Sequence, residues 1–230
     1  MTQFKTIQTN GIGFISELAG SPGWYWGMDH TSGDLYEAEE LWQEGHPVRQ
    51  NRLILLHFPE GRLFEPIHAK EGQYLGAPVW WAGAIWLLLA DFARGELRIL
   101  RWDAEKALTE GQDKLKTAEE SDRLQEIACL PRALVKDCYN LQLVTAPLCL
   151  IRQGHENDFQ VVWPEQGDFT IDARESLDSR DGDVLLFSQW FEDPDYREET
   201  VLRRYPDGAF AGRQKGSLLT LPSGEKWVLE

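Results

Sequence analysis

The chain has 230 residues, of which 42% are hydrophobic and 27% are charged, and its formal net charge is −15. This length and composition are typical of a globular protein that buries a sizeable core. An acidic chain without a basic stripe is poorly suited to phosphate backbones or anionic lipid surfaces, so we expect no nucleic-acid partner and no membrane partner.

The cysteine content and the N-terminal residues bear on the compartment. The three cysteines, Cys129, Cys138 and Cys149, match no zinc-ligand spacing, and their odd number indicates no disulfide framework. The first eight residues lack the apolar centre of a signal peptide. The longest nearly apolar stretch, 77–90, is shorter than the roughly 20 residues that cross a bilayer. A cytoplasmic location is therefore the default expectation, and a native leader ahead of this sequence stays open.

The first predicted hairpin surrounds a turn at Thr31-Ser32-Gly33-Asp34. Strand-like runs at 24–28 and 35–41 flank this turn, and a further run at 11–16 precedes them. Alternating apolar and polar side chains favour a strand for the run after the turn, although Glu39-Glu40 also suits the start of a helical turn. Gly and Asp supply the positive φ angles that hairpin turns require.

Similar units of apolar run, turn and second strand-like run recur along the chain. Four further units are predicted at about 46–72, 76–102, 127–173 and 184–214. The segment 217–221, together with 226–229, is expected to pair with the N-terminal strands and so to close a ring.

Residues 104–127 interrupt the third unit. They are rich in Ala, Glu, Lys and Leu, which favour helix, but Leu108, Leu115 and Leu124 provide only a thin apolar stripe. We therefore expect a helical or mobile insertion on a single all-β domain that spans 1–230. Two roles stay open for it: a plain surface loop, or a lid or partner-binding arm.

The spacing of the turns indicates the architecture. The turns lie near 33, 60, 94, 156 and 193. Without the insertion they are about 27 to 37 residues apart, which is typical of radial or stacked repeats. In this pattern the chain resembles a small five-bladed β-propeller over nearly its whole length, although no WD or kelch signature identifies a family. The resemblance implies a mainly β fold with five blades, and a β-sandwich is the alternative.

No motif of an established catalytic or cofactor chemistry is present. The sequence lacks a P-loop, a GxGxxG after a strand, an HExxH and a GxSxG, so neither a cofactor nor a metal is expected. Asp29, His30, His57 and Asp91 each fall near a predicted strand end. A ring of blades could bring them to one rim as an acid–base or metal cluster. The alternative is that each is a separate turn or surface residue.

Carboxylates on a propeller also suit a carbohydrate-active hydrolase. Such an enzyme needs two carboxyl groups about 5 to 9.5 Å apart across the scissile bond. By analogy with propeller enzymes that carry acids on different blades, Asp29, Asp91 and Glu165 are the first candidates, with Asp29 and Asp91 as the catalytic residues. Their alternative role is to cap turns.

The aromatic content offers a second kind of site. The chain has ten tryptophans, with dense groups at Trp24-Tyr25-Trp26 and Trp80-Trp81. Neighbours in a strand face opposite sides, so Trp24 and Trp26 share a face while Trp80 and Trp81 are divided. Such rings either fill the core between blades or stack on a ligand. The predicted ligand-binding residues are Trp24, Trp26, Trp80, Trp81, His30 and His57.

Two functions of different classes follow. The first is a binding or interaction module for a small molecule, a glycan or a protein. The second is a hydrolase that uses Asp29 and Asp91, so the sequence leaves open whether the protein is an enzyme.

Overall fold

The protein is mainly β, as predicted. A computed structural model describes residues 4–109, 123–221 and 223–230. Strands account for 47% and helices for 8% of the structure. Four small antiparallel sheets succeed one another along the chain in a propeller-like arrangement, followed by a two-stranded hairpin. Within these residues, no helix is long and apolar enough to cross a membrane.

The strands follow the chain order within nearly every sheet. The first sheet holds β1 (Ser16–Glu17), β2 (Trp24–Met28), β3 (Leu53–His57) and β4 (Arg62–Phe64). The second holds β5 (Gln73–Leu75), β6 (Val79–Trp81), β7 (Ala84–Asp91), β8 (Glu96–Trp102) and β9 (Leu124–Pro131). Both β5 and β6 pair with β7.

The second half of the chain repeats this plan. The third sheet holds β10 (Gln142–Val144), β11 (Cys149–Gln153), β12 (Asp158–Trp163) and β13 (Gly167–Thr170). The fourth holds β14 (Glu175–Asp181), β15 (Val184–Phe191), β16 (Arg197–Arg204) and β17 (Phe210–Lys215). The final hairpin consists of β18 (Ser217–Thr220) and β19 (Lys226–Leu229).

The expected strand at 35–41 is wrong, because this segment forms helix α1 (Leu35–Gln43). Asp34 begins the helix: its carboxylate accepts hydrogen bonds from the N–H groups of Tyr36 and Glu37 at 2.8 and 3.3 Å. Leu35 and Ala38 then bury one helix face in the core between the second and third sheets. The alternation that suggested a strand is therefore local, and the apolar residues follow the helical period.

This helix also explains why the structure has four full sheets instead of the expected five blades. The turn at 31–34 leads into α1, so it does not close a hairpin. Strand β2 pairs directly with β3, the next strand after the helix in the sequence, from Trp24 opposite His57 to Met28 opposite Leu53. The first two predicted units therefore form one sheet.

The predicted insertion at 104–127 has three parts. Its start is helical, since α2 spans Ala104–Thr109. Residues 110–122 lie outside the described residues. Its end was predicted wrongly, because 124–127 belong to β9, which pairs with β8 from Leu124 opposite Trp102 to Pro131 opposite Glu96. The backbone N–H and C=O groups of 124–127 find hydrogen-bond partners on β8, a pairing that the sequence pattern did not predict.

The expected pairing of the final segment with N-terminal strands is also wrong. Strands β18 and β19 pair with each other, from Ser217 opposite Leu229 to Thr220 opposite Lys226. The N–H of Leu221 donates to the carbonyl of Glu225 at 2.8 Å and closes the turn between them. A short loop loses less chain entropy on closure than a contact across the whole sequence, so the local hairpin is favoured.

In the described part of the chain, three apolar cores lie between successive sheets. The first core joins the first and second sheets around Trp24 and Trp102. The second core joins the second and third sheets and takes in α1. The third core joins the third and fourth sheets around Phe159 and Phe187. Each sheet is therefore held by its neighbours through side chains, as the blades of a propeller are.

A buried amide links the first two sheets by hydrogen bonds as well. The Asn51 side chain, which is fully buried, donates from Nδ2 to the carbonyl of Asp29 at 2.8 Å. Its Oδ1 accepts from the N–H of Leu75, also at 2.8 Å. Both ends of the amide are satisfied, which is what a buried polar group needs to be tolerated.

Candidate functional site

Trp24, predicted to bind ligand, belongs to the first core. Its ring lies 5.4 Å from that of Trp102 and 5.6 Å from that of Phe64, and the side chain is 1% exposed. The His57 imidazole packs 4.8 Å from the same indole. The structure thus brings Trp24 and His57 together, with Trp24 filling the space between two sheets.

The opposite face of the same strand carries a cavity. Tyr25 alternates with Trp24 and Trp26, as expected for a strand, and its side chain lines a cavity of about 280 Å³. Leu56 and His57 of β3 contribute to the wall, and the N-terminal segment covers one side with Ile7. Apolar atoms dominate this lining, so the cavity suits an apolar group.

Two exposed apolar side chains line this cavity, which we call the N-terminal cavity. Phe58 lines it and is 64% exposed, and Ile15 lines it and is also exposed. Phe4 and Phe14 adjoin lining residues in the sequence and are among the most exposed apolar side chains of the described residues. Large exposed apolar side chains that line a concave surface are typical of an interaction site.

His57 and Glu60 form a polar pair at the edge of the N-terminal cavity. The Nδ1 atom of His57 lies 2.6 Å from Oε2 of Glu60. The pKa of the Glu60 carboxyl is lower than its usual value. The largest cause is a hydrogen bond to the backbone of Glu60 itself, and the next is the hydrogen bond to His57. The carboxylate therefore fixes the orientation of the imidazole, whose ring packs on Trp24.

Lys5 adds a positive charge at this edge. Its side chain lines the cavity, and its ammonium group donates a hydrogen bond to the carbonyl of Glu60. Gly61, in the same turn, has a positive φ of 68°, a conformation that favours glycine. The hydrogen bond of Lys5 attaches the N-terminal segment to this turn between β3 and β4.

Asp29, predicted to be catalytic, caps the connection that follows β2. Its Oδ1 accepts from the N–H of Arg52 at 2.5 Å, and its carbonyl accepts from Asn51. The neighbouring His30 is exposed and has a positive φ of 52°. The catalytic role of Asp29 and the ligand-binding role of His30 stay predictions.

Asp91, the other predicted catalytic residue, caps the turn that follows β7. It is almost fully buried, and its Oδ2 accepts from Nε2 of Gln73 at 2.7 Å. Its Oδ1 accepts from the N–H of Arg94 at 3.0 Å. Asp29 and Asp91 share no hydrogen-bond partner in these contacts, and Glu165 lies exposed on the third sheet beside β13. The catalytic role of Asp91 also stays a prediction.

The remaining predicted tryptophans are divided between two cores. Trp26 and Trp80 pack against the first core, and Trp81 packs against the second. The expected division of Trp80 and Trp81 is therefore confirmed. All three are partly buried. Their contribution to ligand binding stays a prediction.

A second, larger cavity of about 420 Å³ lies on the outer strands of the third sheet. Its lining is more charged than that of the N-terminal cavity and includes Lys136, Arg152, Asp158 and Asp168. Arg152 is almost fully buried, and Asp137 holds it through two hydrogen bonds of 2.8 and 2.7 Å. Asp158 pairs with the same guanidinium. The arginine is thus already neutralised by protein carboxylates, so this cavity offers a ligand little free charge.

The sequence did not single out most residues of the N-terminal cavity. Strand alternation gives only the face of Tyr25, and no motif or spacing points to Lys5, Ile7, Ile15 or Phe58. A usable signal was Phe58, a large apolar residue directly before the turn Pro59-Glu60-Gly61, where polar residues are usual.

Neither metal ligation nor similarity assigns a function. Within 4–109, 123–221 and 223–230, no three His, Cys, Asp or Glu side chains come together as a metal site. Comparison with protein families, with curated proteins and with solved structures finds no match to this chain.

Proposed function

We propose that this protein is an interaction module that binds a protein partner through the N-terminal cavity. The observation that carries the proposal is an apolar cavity whose wall includes the exposed side chains of Phe58 and Ile15. Aromatic residues around a desolvated pocket dominate the binding energy of many protein interfaces. The partner inserts an apolar side chain into the cavity, and the exposed ring of Phe58 contacts the partner at its edge.

The size of the cavity suits a single side chain. At about 280 Å³ it lies at the lower end of the range of about 300 to 1,000 Å³ that small-molecule sites usually measure. One large aliphatic or aromatic side chain is a good match. The exposed ring of Phe58 then contacts the partner's neighbouring residues.

The charge of the chain indicates the chemistry around that side chain. A net charge of −15 attracts basic partners and speeds their association at low salt. Glu17 and Glu60 are exposed near the cavity and can pair with Lys or Arg of a partner. The expected recognition segment is therefore an aliphatic or aromatic residue flanked by basic residues.

The test is selection from a random-peptide library on the immobilised full chain. We expect recovered peptides to share one large apolar residue with basic neighbours, and to lose at least about tenfold in affinity for a Phe58→Ser variant. The matched control is Phe210→Ser, because Phe210 is 63% exposed but lies on the fourth sheet. Peptides that bind the Phe58→Ser variant as tightly as the wild type contradict the proposal.

The hydrolase alternative remains a prediction with less support. Asp29 and Asp91 each hold the backbone of their own turn, which gives both carboxylates a structural role. No observed geometry favours a glycan or small-molecule ligand over the protein partner.

A further inference from the structure

The final hairpin, β18 and β19, has half the strands of a blade. The first, third and fourth sheets have four strands each, and this hairpin has two. A two-stranded hairpin is marginally stable by itself, whereas three or four strands with an apolar face form a stable sheet. In the part of the chain that the structure describes, β18 is the sole strand that pairs with β19.

The pairing pattern shows which backbone groups of β19 face away from β18. Leu221 and Glu225 form a hydrogen-bonded pair. Bonded and non-bonded pairs alternate in antiparallel strands, so Trp227 and Leu229 direct their backbone groups toward β18. Lys226 and Val228 direct theirs toward the open edge, and Glu230 continues this series.

One face of the hairpin is also apolar and uncovered. Trp227 lies opposite Leu219 and is 50% exposed, and Leu229 follows on the same face and is exposed. The other face packs toward the fourth sheet, where Nζ of Lys226 donates to the carbonyl of Arg180 at 3.2 Å. The hairpin therefore combines an unpaired strand edge with an exposed apolar face, which together indicate an interaction surface.

We propose that β19 pairs with β19 of a second copy of this chain in antiparallel orientation, forming a four-stranded sheet across a two-fold axis at Val228. In this register, Lys226 lies opposite Glu230 of the partner subunit. The Lys226 ammonium keeps its hydrogen bond to the carbonyl of Arg180 and has further N–H donors for that carboxylate, so opposite charges meet twice in the dimer. Trp227 lies opposite Leu229 of the partner subunit, which extends the apolar face across the junction.

Charge and backbone geometry favour a second copy of this chain as the partner of β19. The hydrogen-bonding groups at the open edge, those of Lys226, Val228 and Glu230, are the ones that the symmetric register pairs with one another. A lysine on an edge strand normally discourages pairing. Opposite a glutamate it instead selects one register, because a shift by two residues removes the charge pairs. A two-fold interface uses the same surface on both copies, so it closes at two chains.

The experiment is to measure the mass of the full chain by sedimentation over a range of concentrations. We expect a species of twice the 26.4 kDa chain mass that dissociates on dilution. Glu230→Lys should weaken the dimer about tenfold, and Lys226→Glu combined with Glu230→Lys should restore it, because the charge pairs are re-formed in reverse. Val228→Pro should abolish the dimer, since proline removes the N–H that faces the edge.

Controls separate loss of the dimer from loss of the fold. The matched variants are Trp227→Ala, expected to weaken the dimer, and Trp190→Ala, expected to leave it unchanged, because Trp190 is 41% exposed but lies on β15. The thermal midpoint of each variant reports the fold. If Val228→Pro does not fold, the charge-reversed pair, Lys226→Glu with Glu230→Lys, still tests the proposed register. A wild-type chain that stays monomeric at about 200 μM, or a dimer insensitive to Glu230→Lys and its reversal, overturns the proposal.

Discussion

The first and third cores hold their sheets together by different physical means. Between the first and second sheets, the rings of Trp24, Phe64 and Trp102 lie within about 5.6 Å of one another and provide a mostly apolar contact. Between the third and fourth sheets, the rings of Phe159 and Phe187 are accompanied by buried charge. Apolar rings thus fill the space in the first core, whereas the third core also carries buried charged groups.

The charged groups of the third core and its fourth sheet illustrate the contrast. The buried carboxylate of Glu175 accepts two hydrogen bonds from Arg203, at 2.9 and 3.1 Å. Arg180 is buried over the ring of Tyr205, at 3.4 Å from its centre, and donates to the carbonyl of Gly182. Buried ion pairs are directional and intolerant of the loss of one partner, whereas apolar contacts tolerate a change of shape.

The largest expected effect is in the aromatic core. Trp24→Ala should destabilise the protein by about 3 to 5 kcal/mol, because it removes a large buried ring and leaves a cavity between two sheets. The loss is measured by urea denaturation. Trp190→Ala, at an exposed position, is the control and should change little. A cost of Trp24→Ala below about 1 kcal/mol would show that the first core collapses around the gap.

A comparable but charge-dependent effect is expected in the fourth sheet. Glu175→Gln should cost about 3 kcal/mol, because it leaves Arg203 largely buried without its carboxylate. Replacing both residues together, as Glu175→Leu with Arg203→Met, should recover most of the loss. The exposed pair Arg204 and Asp207 is the control, and Asp207→Asn should leave the urea midpoint unchanged. If the double variant is no more stable than Glu175→Gln, packing and not charge explains the loss.

Acid should weaken the second half of the molecule more than the first. Burial by itself raises the pKa of Asp137, but hydrogen bonds from Arg152 and from the N–H of Tyr139 outweigh it, and the folded pKa is lowered. The pKa of Asp158 is lowered in the same way by Arg152. A carboxyl with a lowered folded pKa stabilises the protein above its unfolded value of about 4, and this contribution is lost as the pH falls through the folded value.

The corresponding measurement is the thermal midpoint from neutral pH down to about pH 2. Asp137→Asn should lower the midpoint at neutral pH and flatten its fall below about pH 4. Trp24→Phe should shift the midpoint by a similar amount at every pH. An equal slope in Asp137→Asn and wild type would exclude the Arg152 pair as a source of the acid sensitivity.

Smaller effects are expected at the two turn carboxylates. Asp29→Asn and Asp91→Asn should each cost about 1 kcal/mol, since each weakens hydrogen bonds to a turn backbone. Urea denaturation measures this cost, and hydrolysis of a panel of nitrophenyl glycosides measures activity. Turnover by the wild type that both variants lose, with their folds intact, would support the hydrolase and contradict the purely structural role.

The smallest effect concerns the cysteines and leaves stability unchanged. Burial raises the pKa of the Cys138 thiol to about 12 and also raises the pKa of the Cys149 thiol. Both side chains lie in cores, whereas Cys129 is exposed. A thiol reagent at pH 8 should therefore label one cysteine in the native protein and all three in denaturant. Labelling of Cys149 in the native state would reveal opening between the third and fourth sheets.

The strand content and most hairpins follow from the sequence, because apolar runs and Gly- or Asp-containing turns act locally. The runs at 85–89 and 97–102 pair as β7 and β8, and those at 148–152 and 159–163 as β11 and β12. The blade count was wrong because one nine-residue segment, Leu35–Gln43, satisfies both a short alternation and a helical period. The Asp34 cap and the core available to Leu35 favour the helix.

The candidate site was harder to predict, because it depends on contacts distant in sequence. The N-terminal cavity needs Lys5 and Ile7 to lie beside Phe58, and no spacing rule brings these segments together. Alternation correctly placed Tyr25 opposite Trp24. It could not tell which face meets another sheet, and that choice decides which ring is core and which lines a cavity.

The amide of Asn51 has a consequence for exchange with deuterated solvent. An N–H that faces out from an edge strand such as β5 ordinarily exchanges within the time of local fraying. The N–H of Leu75 instead ends on Asn51 Oδ1, and both residues are fully buried. The deuterium uptake of this N–H should be among the slowest in the second sheet, and it should accelerate sharply in Asn51→Ala. Exchange at Leu75 therefore reports when the first two sheets separate.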